Sequence, residues 1–245
     1  MTDKEKMSRW QEDFTVSSFD AGPNRTLKLS RLLLWLQETA ERHLKVFGMG
    51  YEALHEAGLV FLTARTWLKV HRMPRFGETI SIVTRPCGTQ KAQFLRGYEI
   101  YAGEELCAEA VQTSVAANPQ SHKILHPREF DRFGFDPACG GKPALIPPKL
   151  KMPELPVIGE RVIRYSDLDY NNHLNNAVYA DFLPDHLPGG MEGRRITELQ
   201  INYINESFLG DTLTMHGSVE EEKFTMYGNN ARGRGFEAYA VLKSM

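Results

Sequence analysis

Three cysteines in 245 residues, Cys87, Cys107 and Cys139, are too far apart and odd in number for a disulfide scaffold, and they lack the paired spacing of a zinc site. Neither sign of charge dominates. Twenty-nine Lys and Arg stand against 31 Asp and Glu, a net charge of -2, so no bulk basic field is available for nucleic acid or anionic lipid. No apolar run approaches the ~20 residues of a membrane-spanning helix. The opening Met1-Thr2-Asp3-Lys4-Glu5-Lys6 leads into no apolar signal segment and is too acidic for a transit peptide. These absences set the expectation of a soluble chain in a reducing cytoplasm. There the glycosylation patterns Asn24-Arg25-Thr26 and Asn205-Glu206-Ser207 have no role.

What is present is an ordinary globular composition, 42% apolar and 24% charged, with length for one or two domains. It is organised as a repeat. In the first half a strand pattern over 14–20 is followed by a long apolar helix over 27–47, stopped by Gly48, and by strands over 59–70, 78–85, 91–101 and 104–117. The second half runs strand 160–166, helix 175–186, then strands 197–207, 211–221, 224–228 and 235–243. Phe76-Gly77-Glu78-Thr79-Ile80 is echoed by Leu209-Gly210-Asp211-Thr212-Leu213. The run Leu32-Leu33-Leu34-Trp35-Leu36 is apolar nearly all round, which predicts a buried helix, with Glu38, Glu41 and Arg42 marking its wet side. One buried helix followed by antiparallel strands, used twice, predicts an α+β chain in which two sheets each wrap a helix, an intrachain pseudo-dimer. The competing reading is two unrelated α+β domains. Proline and glycine crowd 137–153, giving a linker that divides the chain into 1–140, 141–155 and 156–245.

The densest polar cluster is Asp167-Leu168-Asp169-Tyr170-Asn171-Asn172-His173-Leu174-Asn175-Asn176, at a strand-to-helix handover. Capping a helix needs one or two such residues, and two acids, four Asn and a His exceed that need. Asp167, Asn175 and Asn176 read as turn and cap residues. Asp169, Asn171 and His173 alternate at a spacing of two, which in an extended segment projects all three to one side. A carboxylate, an amide and an imidazole beside a helix N-terminus could activate water, hold a carbonyl oxygen and carry a proton. His122 and His126 have a helical ligand spacing, but Pro119 and Pro127 bracket them and no third ligand is evident. The run 228–235 has no phosphate-loop pattern and reads as a mobile hairpin loop.

Asp167 to Tyr179 resembles the D-L-D-x-N-x-H-x-N-N-x-x-Y signature of acyl-acyl-carrier-protein thioesterases of plants and bacteria. The resemblance covers almost the full chain. Arg72-Met73-Pro74-Arg75-Phe76-Gly77-Glu78-Thr79 matches a first-half landmark, and Phe236-Glu237-Ala238 resembles the closing strand. It implies two tandem hotdog domains, the first binding the acyl chain and the second catalytic. The implied reaction is hydrolysis of fatty acyl thioesters on acyl carrier protein (ACP), with no cofactor beyond the phosphopantetheine of the substrate. The implied catalytic set is Asp169, Asn171, His173 and Glu206. Glu206 lies in Tyr203-Ile204-Asn205-Glu206-Ser207, where the plant pattern has arginines at 204 and 205 and a cysteine at 207. The departure argues against a cysteine–histidine nucleophile and for a carboxylate-based mechanism with water, Glu206 or Asp169 serving as base or nucleophile.

The first-half junction Phe19-Asp20-Ala21-Gly22-Pro23-Asn24-Arg25 has no histidine and reads as degenerate, while the apolar helix beside it could line a slot for the fatty tail. An acidic carrier would favour a basic patch, with Lys149, Lys151, Arg161, Arg164, Arg194 and Arg195 as candidates. An acyl-coenzyme A thioesterase would use the same logic, and a non-catalytic acyl-binding hotdog protein is the reading from another class. A hotdog dehydratase fits the Asp-Asn-His set less well. Pairing of two copies is left open by the sequence.

Overall fold

The computed structural model describes residues 2–121, 123–143 and 146–245. The first half contains helix α1 (Asp3–Ser8), strand β1 (Trp10–Thr15), helices α2 (Leu29–Val46) and α3 (Tyr51–Glu56), and strands β2 (Val60–Val70), β3 (Thr79–Gln90), β4 (Gln93–Ala102) and β5 (Glu105–Ala117). The second contains β6 (Val157–Val162), a 3₁₀ turn (Tyr165–Asp167), α4 (Tyr179–His186), β7 (Arg194–Tyr203), β8 (Thr212–Glu220), β9 (Lys223–Asn230) and β10 (Gly233–Ser244).

The ten strands form one antiparallel sheet in the order β1-β3-β4-β5-β2-β7-β10-β9-β8-β6. Each half contributes five strands in the same order from its outer edge inward, and the halves meet where β2 pairs β7, from Arg65 opposite Asn202 to Lys69 opposite Glu198. This is the α+β pseudo-dimer expected from the repeat, with the two tandem hotdog halves that the resemblance implies.

Helix α2 forms because its apolar residues recur on one stripe. Leu32, Leu33, Trp35, Leu36, Thr39 and His43 are buried, while Glu41 and Arg42 are exposed. It ends at Gly48, whose φ of 72° closes the helix with Met49 N–H on the Leu44 carbonyl. Leu32 and Leu36 join Phe182 and Leu183 of α4 and the inward residues of both half-sheets in one continuous core, each such leucine contributing roughly 1.5–3 kcal/mol by burial. A second core of Met49, Leu54, Leu59, Phe130 and Phe135 fixes α3 against the first half.

Several boundaries differ from the sequence reading. The first strand is Trp10–Thr15 rather than 14–20, because Ser17 and Asp20 close a turn through the Asp20 carboxylate. Helix α4 begins at Tyr179 rather than 175, because Asn175 offers its side-chain oxygen to Ala177 N–H at 2.9 Å and its carbonyl to Val178 N–H at 2.9 Å. The run 228–235 is no long loop: β9 and β10 continue through it and only Ala231 and Arg232 turn. In the proline-rich stretch, the Pro148 carbonyl accepts from Gln200 Nε2 at 2.8 Å, which holds the segment against β7.

Candidate active site

The polar block does not run extended. Asn172 N–H bonds the Asp169 carbonyl at 3.0 Å, Asp169 N–H bonds the His173 carbonyl at 2.9 Å, and Asn172 takes a φ of 62°, a left-handed conformation that Asn tolerates. The side chain of Asp169 shapes this turn: its Oδ1 accepts from Asn171 N–H at 2.8 Å and His173 N–H at 3.4 Å. A tight turn, rather than strand alternation, therefore groups Asp169, Asn171 and His173.

Glu206 comes to this turn from the end of β7. Leu174 N–H donates to the Ser207 carbonyl at 2.8 Å, and His173 bridges to Phe208. These bonds leave His173 Nδ1 3.4 Å from Glu206 Oε1. The imidazole packs edge-on against Phe208, with ring centres 4.9 Å apart. Arg232 holds the far side of the loop: it lies over Phe208, pairs with Asp211, and reaches the Glu206 carbonyl at 3.4 Å. The structure thus brings all four candidate residues to one place. Asp167 is buried, accepting from Arg161 at 2.8 Å and Arg164 N–H at 2.9 Å, which makes it the turn residue expected.

Ser207 is fully buried, with its hydroxyl 3.5 Å from Asn230 Nδ2. Burial pushes the Tyr179 hydroxyl pKa up to about 12, opposed by a hydrogen bond to Ser207 and reinforced by the charges of Glu206 and Asp211. The three thiols, each raised by burial, hydrogen-bond the carbonyls of Arg85, Glu105 and Met7 in the first half.

Most backbone N–H groups at the start of α4 are taken. The N–H groups of Ala177, Val178, Ala180 and Asp181 are already bonded within the turn and first helical turn. The basic patch is also redistributed. Arg194 and Arg195 open β7, whose nine steps to Tyr203 at ~3.3 Å each carry them about 30 Å from the site end. Arg161 is tied to Asp167. Lys149 lies near the site end of β7, lining with Arg65, Tyr203 and Ile204 a cavity of about 230 Å³. Sequence reasoning missed Tyr51, whose hydroxyl donates to Asn171 Oδ1 at 3.0 Å and whose ring meets that of Tyr170 edge-on. Nothing in the linear order links positions 120 residues apart.

The first-half junction repeats this backbone. Lys28 N–H bonds the Asp20 carbonyl at 2.9 Å as Asn175 N–H bonds that of Asp167 at 2.9 Å, and Leu27 N–H bonds Pro74 at 2.8 Å as Leu174 N–H bonds Ser207 at 2.8 Å. Arg25, φ 60°, stands at the place of Asn172. In that register Gly22, Asn24, Thr26 and Met73 replace Asp169, Asn171, His173 and Glu206. Among the described residues no group of three or more His, Cys, Asp or Glu side chains is set to hold a metal. His126 caps the 3₁₀ turn Pro127–Phe133, and His122 lies outside the described residues. Among the described residues no helix is long and apolar enough to cross a membrane.

Residues 7–127 match the acyl-ACP thioesterase N-terminal domain and residues 154–237 the acyl-ACP thioesterase C-terminal domain. The fold is that of an acyl-ACP thioesterase from Bacteroides thetaiotaomicron, with a TM-score of 0.82 at 20% identity over 99% of this chain and 100% of that one. A putative oleoyl thioesterase from Lactobacillus plantarum gives 0.82 at 20% over 97% and 96%. In sequence the chain is 24% identical over 213 residues to a chloroplastic acyl-[acyl-carrier-protein] hydrolase of Cuphea viscosissima, covering 80% of this chain and 52% of that protein. It is 23% identical over 215 residues to a chloroplastic palmitoyl-acyl carrier protein thioesterase of Cuphea hookeriana, covering 80% and 51%. The chain thus spans about half the length of these two curated relatives. With both domain patterns present in order on a double hotdog, the chain belongs to the acyl-ACP thioesterase family.

Proposed function

We propose that this protein hydrolyses fatty acyl thioesters carried on ACP, releasing free fatty acid and the carrier thiol in the cytoplasm. The observation that carries the reading is the Glu206–His173 contact at 3.4 Å beside the Asp169–Asn171 turn. That convergence supplies an amide for the carbonyl, a proton carrier and two carboxylates with separate environments.

The roles divide as follows. The Nδ2–H of Asn171 polarises the thioester oxygen as charge develops on it. Asp169 has one carboxylate oxygen anchored by backbone N–H groups, so the other is held in place to take a proton as water attacks the carbonyl carbon. Collapse of the tetrahedral intermediate breaks the C–S bond. Protonated His173 delivers its proton to the departing sulfur, and the proton on Asp169 then restores His173. Glu206 holds Nδ1–H and steadies the imidazolium. The first half receives the fatty tail alongside α2. Because Leu32, Leu33 and Leu36 are packed into the core, the tail enters by displacing side chains rather than by filling an open slot.

The test is a hydrolysis screen of matched acyl-ACP and acyl-coenzyme A thioesters with His173→Ala as control. Faster turnover of the ACP esters, abolished by the control, is expected. Preference for coenzyme A at equal acyl length would move the protein to the alternative carrier. Release of no fatty acid from either would make it an acyl-binding protein.

A further inference from the structure

We infer that Tyr51, contributed by the first half, is a positioning residue that aims the Asn171 amide at the thioester. The inference rests on the reading of Asn171 as the group that holds the thioester carbonyl. The Tyr51 hydroxyl donates to Asn171 Oδ1 at 3.0 Å. An amide whose oxygen is taken in this way turns its Nδ2–H₂ donors away from Tyr51; one meets the Tyr170 hydroxyl and the other is left for an acceptor. The polarity matters, because a flipped amide would present oxygen to the developing oxyanion.

The duplicated junction shows what the amide does without Tyr51. There Asn24 Oδ1 accepts from Thr26 Oγ1 at 2.7 Å and from Thr26 N–H at 3.3 Å, so a hydroxyl two residues on fixes the side chain locally. Position 173 holds the histidine instead, which has no hydroxyl to give. The local anchor is therefore lost, and the hydroxyl is supplied across the junction of the halves. Tyr51 is itself well held for the task. It opens α3, its ring stacks on His55 at 5.8 Å and meets Tyr170 edge-on at 5.0 Å, and the buried Leu54 pins the helix to the second core. The tyrosine remains 45% exposed, so its hydroxyl can be removed without opening a cavity.

Tyr51→Phe keeps both ring contacts and deletes only the donor. With a long-chain acyl-ACP thioester, kcat should fall about 10-fold, the scale of one neutral hydrogen bond, with KM within about 2-fold. The deciding measurement is a double-mutant cycle at enzyme excess, where single turnovers are read even when slow. If Tyr51 acts through Asn171, Tyr51→Phe should change nothing in an Asn171→Ala background. Wild-type kcat in Tyr51→Phe would overturn the inference. So would an equal 10-fold loss in both backgrounds, which would mean that Tyr51 acts without Asn171. A wild-type protein that hydrolyses no acyl thioester would instead overturn the functional reading, and this inference with it.

Discussion

Asp169→Asn separates chemistry from scaffolding at the proposed site. The substituted amide still presents an oxygen to Asn171 N–H and His173 N–H, which Asp169 Oδ1 receives at 2.8 and 3.4 Å. The longer contact is already weak. What the turn loses is charge assistance on one good bond, about 1 kcal/mol, or roughly a factor of five in rate if all of it reaches the transition state. An amide can neither take a proton from water nor attack a carbonyl, so removal of a positioned base should cost a further ~10²–10⁴ in kcat, about 3–5 kcal/mol. The two contributions differ enough to be told apart. The assay is steady-state release of the carrier thiol from acyl-ACP, with the thermal midpoint followed in parallel to establish that the turn has survived. A kcat within about fivefold of wild type, at an unchanged midpoint, would leave Asp169 as a turn-former and move the base role to Glu206.

The same geometry makes further predictions. Glu206→Gln keeps an oxygen beside His173 Nδ1, 3.4 Å away in the parent, and should slow turnover only about 10-fold, the loss of the carboxylate's charge next to the imidazole; a larger fall than in Asp169→Asn would exchange the two carboxylate roles. Substitution of the half-buried Leu34 on α2 by Ala should shift acyl preference more than kcat, since ~0.8 kcal/mol accompanies each buried methylene; unchanged selectivity across a panel of acyl lengths would remove the tail from this helix. His43 is fully buried, with Nδ1 3.0 Å from Arg96 and Nε2 2.8 Å from the Lys6 carbonyl, and burial followed by the Arg96 charge lowers it from 6.5 to about 4. The folded state then binds fewer protons than the unfolded chain between these values, so stability is intact above pH 6.5 and falls by about 3 kcal/mol as the pH drops to about 4. Denaturant melts across this range should find that slope reduced in His43→Gln; an equal slope in both proteins would assign it to the carboxylates.

The repeat was legible because its markers are local. A glycine turn followed directly by an acid, a threonine and the first apolar residue of a strand can be read in both halves, and Glu78 and Asp211 indeed close equivalent turns, on Arg75 N–H and Phe208 N–H at 2.8 Å each. The composition of the polar cluster was legible for the same reason. Its conformation was not. Alternation at Asp169, Asn171 and His173 suggests an extended run, but Asx side chains bond their own following N–H groups and win over strand geometry when no neighbouring strand pairs them. The shortened α4 has the same origin in Asn175. Arg194 and Arg195 were misplaced because a basic pair says nothing about which end of a ten-residue strand it occupies. Tyr51 was invisible because α3 is six residues long, too short to carry a periodicity, and its partner lies in the other half.

The two junctions also bear on why, on the proposed reading, one of them carries the chemistry when the backbone was built twice. Corresponding main-chain bonds agree to about 0.1 Å, 2.9 against 2.9 and 2.8 against 2.8, so the fold itself does not distinguish them. The side chains do, with glycine, threonine and methionine standing where aspartate, histidine and glutamate stand in the second half. A further difference lies outside the junctions. After α2 the chain builds α3 and a second core of Met49, Leu54, Leu59 and Phe130, and so brings a tyrosine over Asn171. After α4 it passes through Leu187-Pro188-Gly189-Gly190 to β7 with no matching helix, and Asn24 is left to Thr26. Restoring the three missing acid–base side chains to the first junction would thus still leave its asparagine turned by a neighbour rather than by the opposite half. On the proposed reading, the asymmetry of the chain after its two central helices, as much as the residues of the polar block, decides which junction is equipped to polarise a thioester.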